Sequence, residues 1–400
     1  MCEVKWRSSV RYPNDSHYSD LYRNLRNRCV ALTRKGIRTK VTQTIYSGAN
    51  SGSQSKKFKC LKSLTNSSSS SSLPFISADK TLIYDSKGIA DSLNSSFTTI
   101  AQKYRRLFDN SSFNRGKISK FVNDRLPPHV GFSIPEPSRH EILCYLRDLK
   151  TNASTGLDDI SATTIRTSMH ALVEPLHHIL CNSFKQSQFP DGWKHARVTP
   201  IPKDKFTTNP VWENLRPISV LKIMSKISEK HVSKHVTHFF ESNNLFHHLQ
   251  SGSRKRHSCE TALLHLVDIC YKNLSEKNKS SLIFTDFSKA FDLINHEILL
   301  EKLKLYRFDI KTINWFRSYL YNRKQTVKVN GVFSDLADVN TGVPQGSILG
   351  PLLFLVYTNC MPLSILRGIT NSCVDDATIM HKLFTTEPPA WYECSMPKHL

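Results

Sequence analysis

Three carboxylates stand where a metal-dependent phosphoryl transfer could use them. Asp286 ends an apolar, β-prone segment that begins at Ser281, and the adjacent acids Asp375 and Asp376 lie between two further β-prone segments. A tight hairpin would project the paired acids at its tip, and the long intervening stretch lets the two strands lie side by side. Three acids meeting there would be costly without cations. Two Mg²⁺ ions about 3.5–4 Å apart would balance them and suit in-line phosphoryl displacement.

A loop rich in glycine and proline lies between these acids. It runs from Thr341 to Pro351 and leads into an apolar helix. Glycine lets a backbone approach a base or a sugar closely, and Gln345 could hydrogen-bond a nucleotide or a template base. Taken alone, an Asp pair is more often a surface turn or a helix cap, and such a loop is more often a generic turn before a core helix.

Together these segments resemble the motifs of reverse transcriptases, in the right order and at the right spacing. Phe284–Asp292 resembles motif A, Gly342–Ser347 resembles motif B, and Val374–Asp376 resembles motif C. The chain is similar in particular to the enzymes of non-LTR (LINE-type) retrotransposons. This resemblance implies an α+β, right-hand polymerase fold.

The same resemblance implies roles for individual residues. The implied catalytic acids are Asp286, Asp375 and Asp376, and these are also the metal ligands together with the backbone carbonyl of Phe287. Phe291 would be a steric gate that excludes a 2′-hydroxyl and so favours deoxynucleotides, although an ordinary core phenylalanine is the alternative. Gln345 and Gly346 are implied to contact the nucleotide.

The match extends upstream of the acids. Trp193–Lys203 and Leu215–Leu221 resemble the fingers motifs of LINE-type enzymes. Lys203 and Arg216 would clamp the incoming triphosphate there, since a guanidinium can bind phosphate oxygens in a bidentate manner. Surface cations on a loop are the alternative. Gln250–Arg254 resembles the family segment before the palm.

The resemblance predicts how the chain is organised. The predicted parts are a basic N-terminal linker with a Ser-rich disordered stretch (1–135), a helical lead-in (136–183), a reverse-transcriptase domain (184–382, fingers to about 280 and palm 281–382) and a divergent tail (383–400). No thumb is recognised and the palm is expected to be incomplete. The basic extension is expected to be largely helical or flexible.

Local patterns predict several elements. Ser138–Glu141 is a capping box ahead of a helix, and a second helix is predicted over about 167–188. Residues 197–201 predict a strand whose prolines favour a sheet edge. A long amphipathic helix is predicted over about 219–241, and a short strand over 281–285.

Charge points to a polyanionic partner. The net charge is +22, from 55 Lys+Arg against 33 Asp+Glu, which favours encounter with nucleic acid. Residues 1–60 are strongly basic, and an apolar stripe at helical spacing runs between their arginines. The stripe consists of Tyr18, Leu21, Leu25, Cys29 and Leu32. Direct RNA contact and a solvated helix packed on the next domain are equally good interpretations of it.

Other sequence features predict the cellular setting. The ten cysteines form no Cys-x-x-Cys pair, which argues against a zinc module and a disulfide framework. The start has no apolar signal segment, and no run reaches the roughly 20 apolar residues of a membrane helix. We therefore expect an intracellular protein, in the nucleus or cytoplasm, that is not secreted and has no membrane partner.

The leading hypothesis is an RNA-directed DNA polymerase. It would add deoxynucleotides to the 3′-hydroxyl of a DNA primer or target on an RNA template, with two Mg²⁺ (Mn²⁺ can substitute) and no small organic cofactor. One alternative is a catalytically silent retroelement relic that only binds nucleic acid. A two-metal nuclease is weaker, because it gives the glycine loop and the two cations no role.

Overall fold

The computed structural model describes residues 82–103, 114–203, 214–254, 257–365, 368–373 and 376–383, with 75–76 and scattered positions from 20 to 42. The chain divides into two compact units, Met1–Ser71 and Ser72–Leu400. In the first unit the described positions (20, 23–24, 26–28, 31, 35, 39 and 42) are helical. The predicted apolar stripe and the Ser-rich stretch 67–72 lie outside the described residues.

The second unit mixes helices and strands, as expected for an α+β fold. Its helices are α1 (Ser86–Lys103), α2 (Arg115–Asn123), α3 (Arg139–Arg147), α4 (Ala162–Thr167), α5 (Met169–Lys185), α6 (Ile223–Ser242), α7 (Cys259–Ser275), α8 (His296–Leu305), α9 (Ile310–Leu320), α10 (Leu349–Thr358) and α11 (Met361–Ser364). Its strands are β1 (Phe75–Ile76), β2 (Leu82–Ile83), β3 (His195–Pro202), β4 (Leu215–Val220), β5 (Lys279–Asp286), β6 (Arg323–Val329), β7 (Val332–Phe333), β8 (Ala337–Val339), β9 (Ile369–Cys373) and β10 (Asp376–Leu383). Among the described residues, none of the helices combines the length and the apolar character of a membrane span.

A helical layer holds the main core. We use this name for α2, α3, α5, α6, α8, α9 and α10, which pack on one another. Trp315, Phe316 and Tyr319 of α9 are fully buried at its centre. The Trp315 ring stacks on Tyr319, with 5.8 Å between ring centroids and 9° between the ring planes. These aromatic side chains supply much of the buried apolar area that stabilises the layer.

A five-stranded sheet has the order β4-β3-β6-β7, with β8 paired to β6. β3 is antiparallel to β4 and parallel to β6. Helix α1 covers this sheet, and its Ile89, Leu93 and Phe97 share a second core with Val198 and Val327. The sheet is discontinuous in sequence, since β6–β8 follow β4 by about a hundred residues.

β3 was predicted to lie at a sheet edge because of its prolines, and this prediction was wrong. β3 lies between two partners, not at the edge of the sheet. Its parallel ladder with β6 covers only His195–Val198, however, whereas Pro200 and Pro202 pair only with β4. Proline cannot donate to a ladder. The prolines therefore occupy the half of the strand that has a single neighbour.

A three-stranded antiparallel sheet has the order β5-β10-β9. We call β5, β10, β9 and the packed helix α7 the acid sheet. Residues 249–251 meet its β9 edge, because the Ser251 amide donates to the Ser372 carbonyl (2.8 Å) and the Ser372 amide donates to the Leu249 carbonyl (3.0 Å). This edge of the sheet is therefore partly satisfied from within the chain.

Local predictions met different outcomes. The capping box at Ser138–Glu141 is confirmed, with both reciprocal hydrogen bonds formed ahead of α3. The helix predicted over about 167–188 is observed as α5, whereas the short helix α4 that ends just before it was not predicted. The amphipathic helix was predicted to begin at Ser219, but α6 begins at Ile223 because Ser219 belongs to β4.

The division between fingers and palm near residue 280 remains a prediction. The two sheets are not separated at that position in the sequence. β6 and β8 lie after residue 280 yet pair with the sheet that contains β3 and β4. Residues 86–103, placed in the predicted linker, form α1 on that same sheet. The predicted tail at 384–400 lies outside the described residues.

Candidate active site

Two of the three predicted acids face each other across the acid sheet. Asp286 is the last residue of β5, Asp376 is the first residue of β10, and the antiparallel register pairs them directly. Directly opposed residues project to the same face, with Cβ atoms about 4.5–5.5 Å apart. Both residues are exposed. Asp375 lies in the two-residue connection between β9 and β10, outside the described residues.

The segment that follows Asp286 is anchored to α10. The ring of Phe354 in α10 packs edge-on against the Phe287 ring, with 6.2 Å between ring centroids, and tilted against the Phe291 ring, with 5.2 Å between centroids. Phe287 and Phe291 are both half-buried at the margin of the main core. The predicted gate residue thus has one ring face against the protein, and its side chain is only partly removed from solvent.

The glycine loop lies between this segment and β4. The Gly342 amide donates to the Ile294 carbonyl (2.9 Å) and the Val343 amide donates to the Phe291 carbonyl (2.8 Å). On the other side the Ser219 amide donates to the Gln345 carbonyl at 2.6 Å. The loop therefore bridges the segment after Asp286 and the five-stranded sheet.

Gly342 and Gly346 of this loop are required by close approaches to the protein's own backbone. Gly342 has φ +74°, and a Cβ there would lie 2.6 Å from the Phe291 carbonyl oxygen. Gly346 has φ +113°, and a Cβ would lie 2.6 Å from the Ser219 carbonyl oxygen. Left-handed φ together with such a contact excludes any side chain without a backbone shift. The glycines fix the loop, whereas the sequence interpretation assigned them to approach a ligand.

Gln345 has a partner that the sequence did not predict. Its amide nitrogen donates to both carboxylate oxygens of Asp292, each at 3.0 Å. Burial raises the pKa of the Asp292 carboxyl to about 6, against the lowering effects of the Gln345 hydrogen bond and of the charges of Lys289 and Lys203. The sequence left open whether Asp292 is structural or solvent-facing, and the structure shows its buried carboxylate holding Gln345 in place.

The two predicted cations lie on the β3–β4 hairpin. Arg216 of β4 is exposed and pairs with Ile201 of β3. Lys203 is exposed just after β3, where its amide donates to the Asn214 carbonyl (2.8 Å). The charge of Lys203 lowers the pKa of Asp292, and β4 of the same hairpin contacts the glycine loop through the Ser219 amide. The connection 204–213 lies outside the described residues.

An open cleft borders the loop. Its empty volume is about 580 Å³, and it lies between α1, the five-stranded sheet and the glycine loop. Phe97, Pro217, Arg323 and Gln345 are among its lining residues. The cleft is open to solvent, and its lining mixes polar and apolar side chains.

A buried acid supports the loop from below, and sequence reasoning missed it. Glu229 of α6 is fully buried, and its Oε2 accepts from the Ile348 amide (2.7 Å) and the Leu349 amide at the start of α10. Burial raises the pKa of Glu229, while the charge of Arg323 and these amides oppose that shift. A carboxylate at a helix N-terminus is stabilised by the unpaired amides and the helix dipole. An acid on the apolar face of an amphipathic helix was the available sequence signal.

Arg254, from the segment predicted to precede the palm, has a structural role. Its guanidinium binds both carboxylate oxygens of Glu241 (3.0 and 2.8 Å) and donates to the carbonyls of His247 and Gln250. These contacts tie the end of α6 to the stretch that meets β9. All of the described contacts of Arg254 are within the protein.

Comparison with known proteins agrees with the resemblance that the sequence motifs indicated. Residues 201–387 match the family model described as reverse transcriptase (RNA-dependent DNA polymerase). The probable RNA-directed DNA polymerase from transposon BS of Drosophila melanogaster is 29% identical over 242 residues, 60% of this chain and 26% of that protein. The RNA-directed DNA polymerase from mobile element jockey of the same species is 28% identical over 236 residues, 59% of this chain and 26% of that protein.

The matched region contains both hairpin cations, the glycine loop and all three acids, and it extends past residue 382, where the sequence-based resemblance stopped. The chain spans about a quarter of the length of these two relatives. Residues 201–387, a little under half of the chain, are therefore similar to reverse transcriptases, and RNA-directed DNA polymerases of mobile elements are among the relatives of the chain.

Proposed function

We propose that this chain is an RNA-directed DNA polymerase that adds deoxynucleotides to a DNA 3′-hydroxyl on an RNA template. The direct pairing of Asp286 with Asp376 at the exposed end of the acid sheet carries this proposal. A site for nucleotidyl transfer needs carboxylates that converge on one point and remain open to a large substrate, and these two residues meet both needs.

In this proposal the acid sheet belongs to the palm and the five-stranded sheet to the fingers of a right-hand polymerase. The glycine loop supports that assignment, because it links the segment after Asp286 to β4 through Gly342 and Gly346. A base pair formed at the acids would then lie between two sheets held at a fixed distance by this loop.

The donor set suits Mg²⁺. Carboxylate oxygens at an exposed strand end leave room for water and substrate phosphates, which this ion prefers among its ligands. Asp286, Asp375, Asp376 and the Phe287 carbonyl would hold the metal. When bound, the two ions supply the positive charge that favours the attacking alkoxide and the departing pyrophosphate.

Other side chains position the nucleotide. Lys203 and Arg216, exposed on the β3–β4 hairpin, would bind the triphosphate oxygens. Phe291, held by Phe354, would present its ring to the sugar. The side-chain amide of Gln345 is held by Asp292. Gln345 would therefore contribute to nucleotide binding indirectly, by fixing the part of the glycine loop that lines the cleft.

Primer extension with the purified chain tests the proposal. Using an RNA template, a DNA primer and dNTPs, we expect Mg²⁺-dependent incorporation that Asp286→Asn lowers at least about a thousandfold, roughly 4 kcal/mol in the activation barrier. Asp268→Asn, the same change at an exposed acid of α7, should leave the rate within about twofold. Circular dichroism should show both variants folded.

Failure of folded wild-type protein to incorporate nucleotide with either Mg²⁺ or Mn²⁺ would contradict the polymerase. The alternative of a silent nucleic-acid binder would then be selected by RNA binding that weakens steeply with salt and is equal in wild type and Asp286→Asn. The net charge of +22 is the observation that favours that second function.

Phe291→Val tests the sugar gate separately. A smaller side chain should admit the 2′-hydroxyl and raise ribonucleotide incorporation relative to deoxynucleotide by about tenfold or more. Phe287→Val, which removes the neighbouring contact with Phe354, is the matched control and should leave the ratio unchanged. Equal ratios in wild type and Phe291→Val would restrict Phe291 to packing.

A further inference from the structure

A group of metal-binding side chains lies in the helical layer, away from the acid sheet. Glu141 of α3 and His231 and His235 of α6 each offer one donor atom, and these atoms all lie within 4.8 Å of one another. The two helices pack directly on each other. One carboxylate oxygen and two imidazole nitrogens therefore converge at a single helix–helix contact.

The spacing along α6 aims both imidazoles at α3. Residues four apart on a helix are neighbours on one face. His231 is fully buried, with its ring stacked on Phe184 at 5.6 Å. The side chain of His235 is 25% exposed and that of Glu141 is 26% exposed. The cluster therefore has a rigid inner ligand and two outer ligands that can adjust.

Hydrogen bonding fixes which nitrogen of His231 is available. Its Nε2 lies 2.8 Å from the Pro135 carbonyl oxygen. A carbonyl can only accept, so Nε2 carries the proton and Nδ1 keeps its lone pair. The hydroxyl of Tyr145 lies 3.4 Å from Nδ1, at the weak end of hydrogen bonding. A backbone carbonyl that orients the other ring nitrogen is the usual support of a metal-bound histidine.

His235 contributes a nitrogen that lacks a partner. Its Nε2 is buried and has no hydrogen bond within the part of the chain that the structure describes. It lies 3.8 Å from Oε1 of Glu141. A buried polar atom without a hydrogen bond destabilises the folded protein. A cation placed between Nε2 and the carboxylate would remove that cost.

The protonation states are those that a metal needs. Burial lowers the pKa of His231 to about 4 and also lowers the pKa of His235. Against the raising effect of burial, hydrogen bonds from Lys234 and Ser138 lower the pKa of Glu141 to about 2. These shifts favour neutral imidazoles and an ionised carboxylate, which are the forms that bind a metal ion.

We propose that Glu141, His231 and His235 form a binding site for a divalent transition-metal ion, Zn²⁺ above all, that ties α3 to α6. Two nitrogens and one oxygen suit Zn²⁺ or Co²⁺, whereas Mg²⁺ and Ca²⁺ prefer oxygen alone. The fourth tetrahedral position faces the exposed side and would hold water. Ligands of a tetrahedral Zn²⁺ lie about 3.3 Å apart, so donor atoms that lie within 4.8 Å of one another must approach by at most about 1.5 Å.

Lys234 is the competitor for this site. Its Nζ lies 2.7 Å from Oε1 of Glu141, the oxygen that would bind the metal. The Lys234 side chain is 54% exposed and can move into solvent. A metal must therefore displace an ammonium group, and removal of that group should tighten binding.

Co²⁺ titration of the full-length chain after chelator treatment tests the site. We work in an Asp286→Asn background so that the acid sheet adds no signal. We expect one Co²⁺ per chain with visible d–d absorption, reversed by Zn²⁺ but not by excess Mg²⁺. His235→Ala and Glu141→Gln should weaken binding at least about tenfold, and Zn²⁺ should raise the Tm of the parent but not of His235→Ala.

Two further variants sharpen the test. His238→Ala removes another histidine from α6, whose Nδ1 lies 3.3 Å from the Ser242 hydroxyl, and it should leave binding unchanged. Lys234→Met should tighten binding by about tenfold or more, since it removes the competing charge. Absence of the Co²⁺ signal, or a signal that survives His235→Ala, would overturn the proposal.

Discussion

The helical layer and the acid sheet handle their apolar residues in opposite ways. In the layer, the aromatic side chains of α9 are fully buried. In the acid sheet, Phe284 is 72% exposed, and Leu264 and Leu274 of α7 are 69% and 67% exposed. Burial of apolar area is the main source of folding free energy. The layer therefore supplies stability, whereas the acid sheet carries the acids with much less of its apolar surface covered by described residues.

This contrast separates two kinds of mutation. Changes in the layer should alter the free energy of unfolding. They should alter the activity at the acids only as a consequence of that lower stability. Changes at the exposed end of the acid sheet should alter activity at nearly constant stability. The glycine loop joins the layer to the five-stranded sheet through α10 and β4, so its residues should affect both quantities.

Trp315→Ala should give the largest loss of stability. Trp315 is fully buried against Phe189, Phe316 and Tyr319, and its Nε1 donates to the Ser183 hydroxyl at 3.0 Å. We expect unfolding to become easier by about 3–5 kcal/mol, measured from the urea midpoint. Trp193→Ala, at the half-buried margin of the same cluster, is the control and should cost less than half as much. Equal losses would mean that the layer has no tightly packed centre.

Gly346→Ala should follow. Alanine there combines a left-handed φ with a Cβ 2.6 Å from the Ser219 carbonyl oxygen, so the loop must move away from β4. We expect a loss of about 2–4 kcal/mol and reduced primer extension. Gly331→Ala has a similar left-handed φ of +88° but open space around the Cβ, so it should lose only about 1 kcal/mol. Indistinguishable variants would show that the close approach to β4 is not maintained in solution.

Signals confined to a few neighbouring residues were readable from the sequence. The Ser138–Glu141 box predicted the start of α3, and the apolar run after Ser281 predicted β5, because in both cases the determining contacts are local. The motif resemblance predicted that Asp286 lies near the paired acids. It could not predict that Asp286 pairs directly with Asp376, because that register depends on how β10 pairs with β5.

Long-range contacts account for the failures. Ser219 fits an amphipathic helix by pattern, yet it is drawn into β4 by pairing with Val198. The sequence could not decide whether Asp292 is structural or solvent-facing, because nothing near it in sequence buries it. Its burial comes from the loop that carries Gln345, 53 residues later. Glu229 and the cluster of Glu141 with two histidines likewise depend on helix packing that no local pattern encodes.

Asp292 should impose a pH dependence on stability. Burial raises the pKa of its carboxyl from 3.8 to about 6 in the folded protein, so between these values the folded state binds more protons than the unfolded state. Its contribution to stability is therefore complete below about pH 4 and is lost as pH rises through 6, by at most about 3 kcal/mol. The difference in unfolding free energy between wild type and Asp292→Asn, followed from pH 4 to 7, isolates this contribution.

Gln345→Leu sharpens that measurement. Without the amide donor the ionised form of Asp292 loses its partner, so the variant should be destabilised more at pH 7 than at pH 4. A difference between wild type and Asp292→Asn that does not vary with pH would mean that the carboxyl is solvated. The loop would then lie further from the segment after Asp286 than its hydrogen bonds indicate.

Leu264→Gln should have the smallest effect and tests the exposed half of the comparison. Because Leu264 is 69% exposed, we expect the free energy of unfolding to change by less than about 0.5 kcal/mol, with less aggregation in light scattering. Leu266→Gln, two residues away on α7 and 8% exposed, should instead cost about 2 kcal/mol or more. If Leu264→Gln is equally costly, this face of α7 is covered in solution by another surface. The acid sheet would then owe its stability to that contact rather than to the packing of α7 alone.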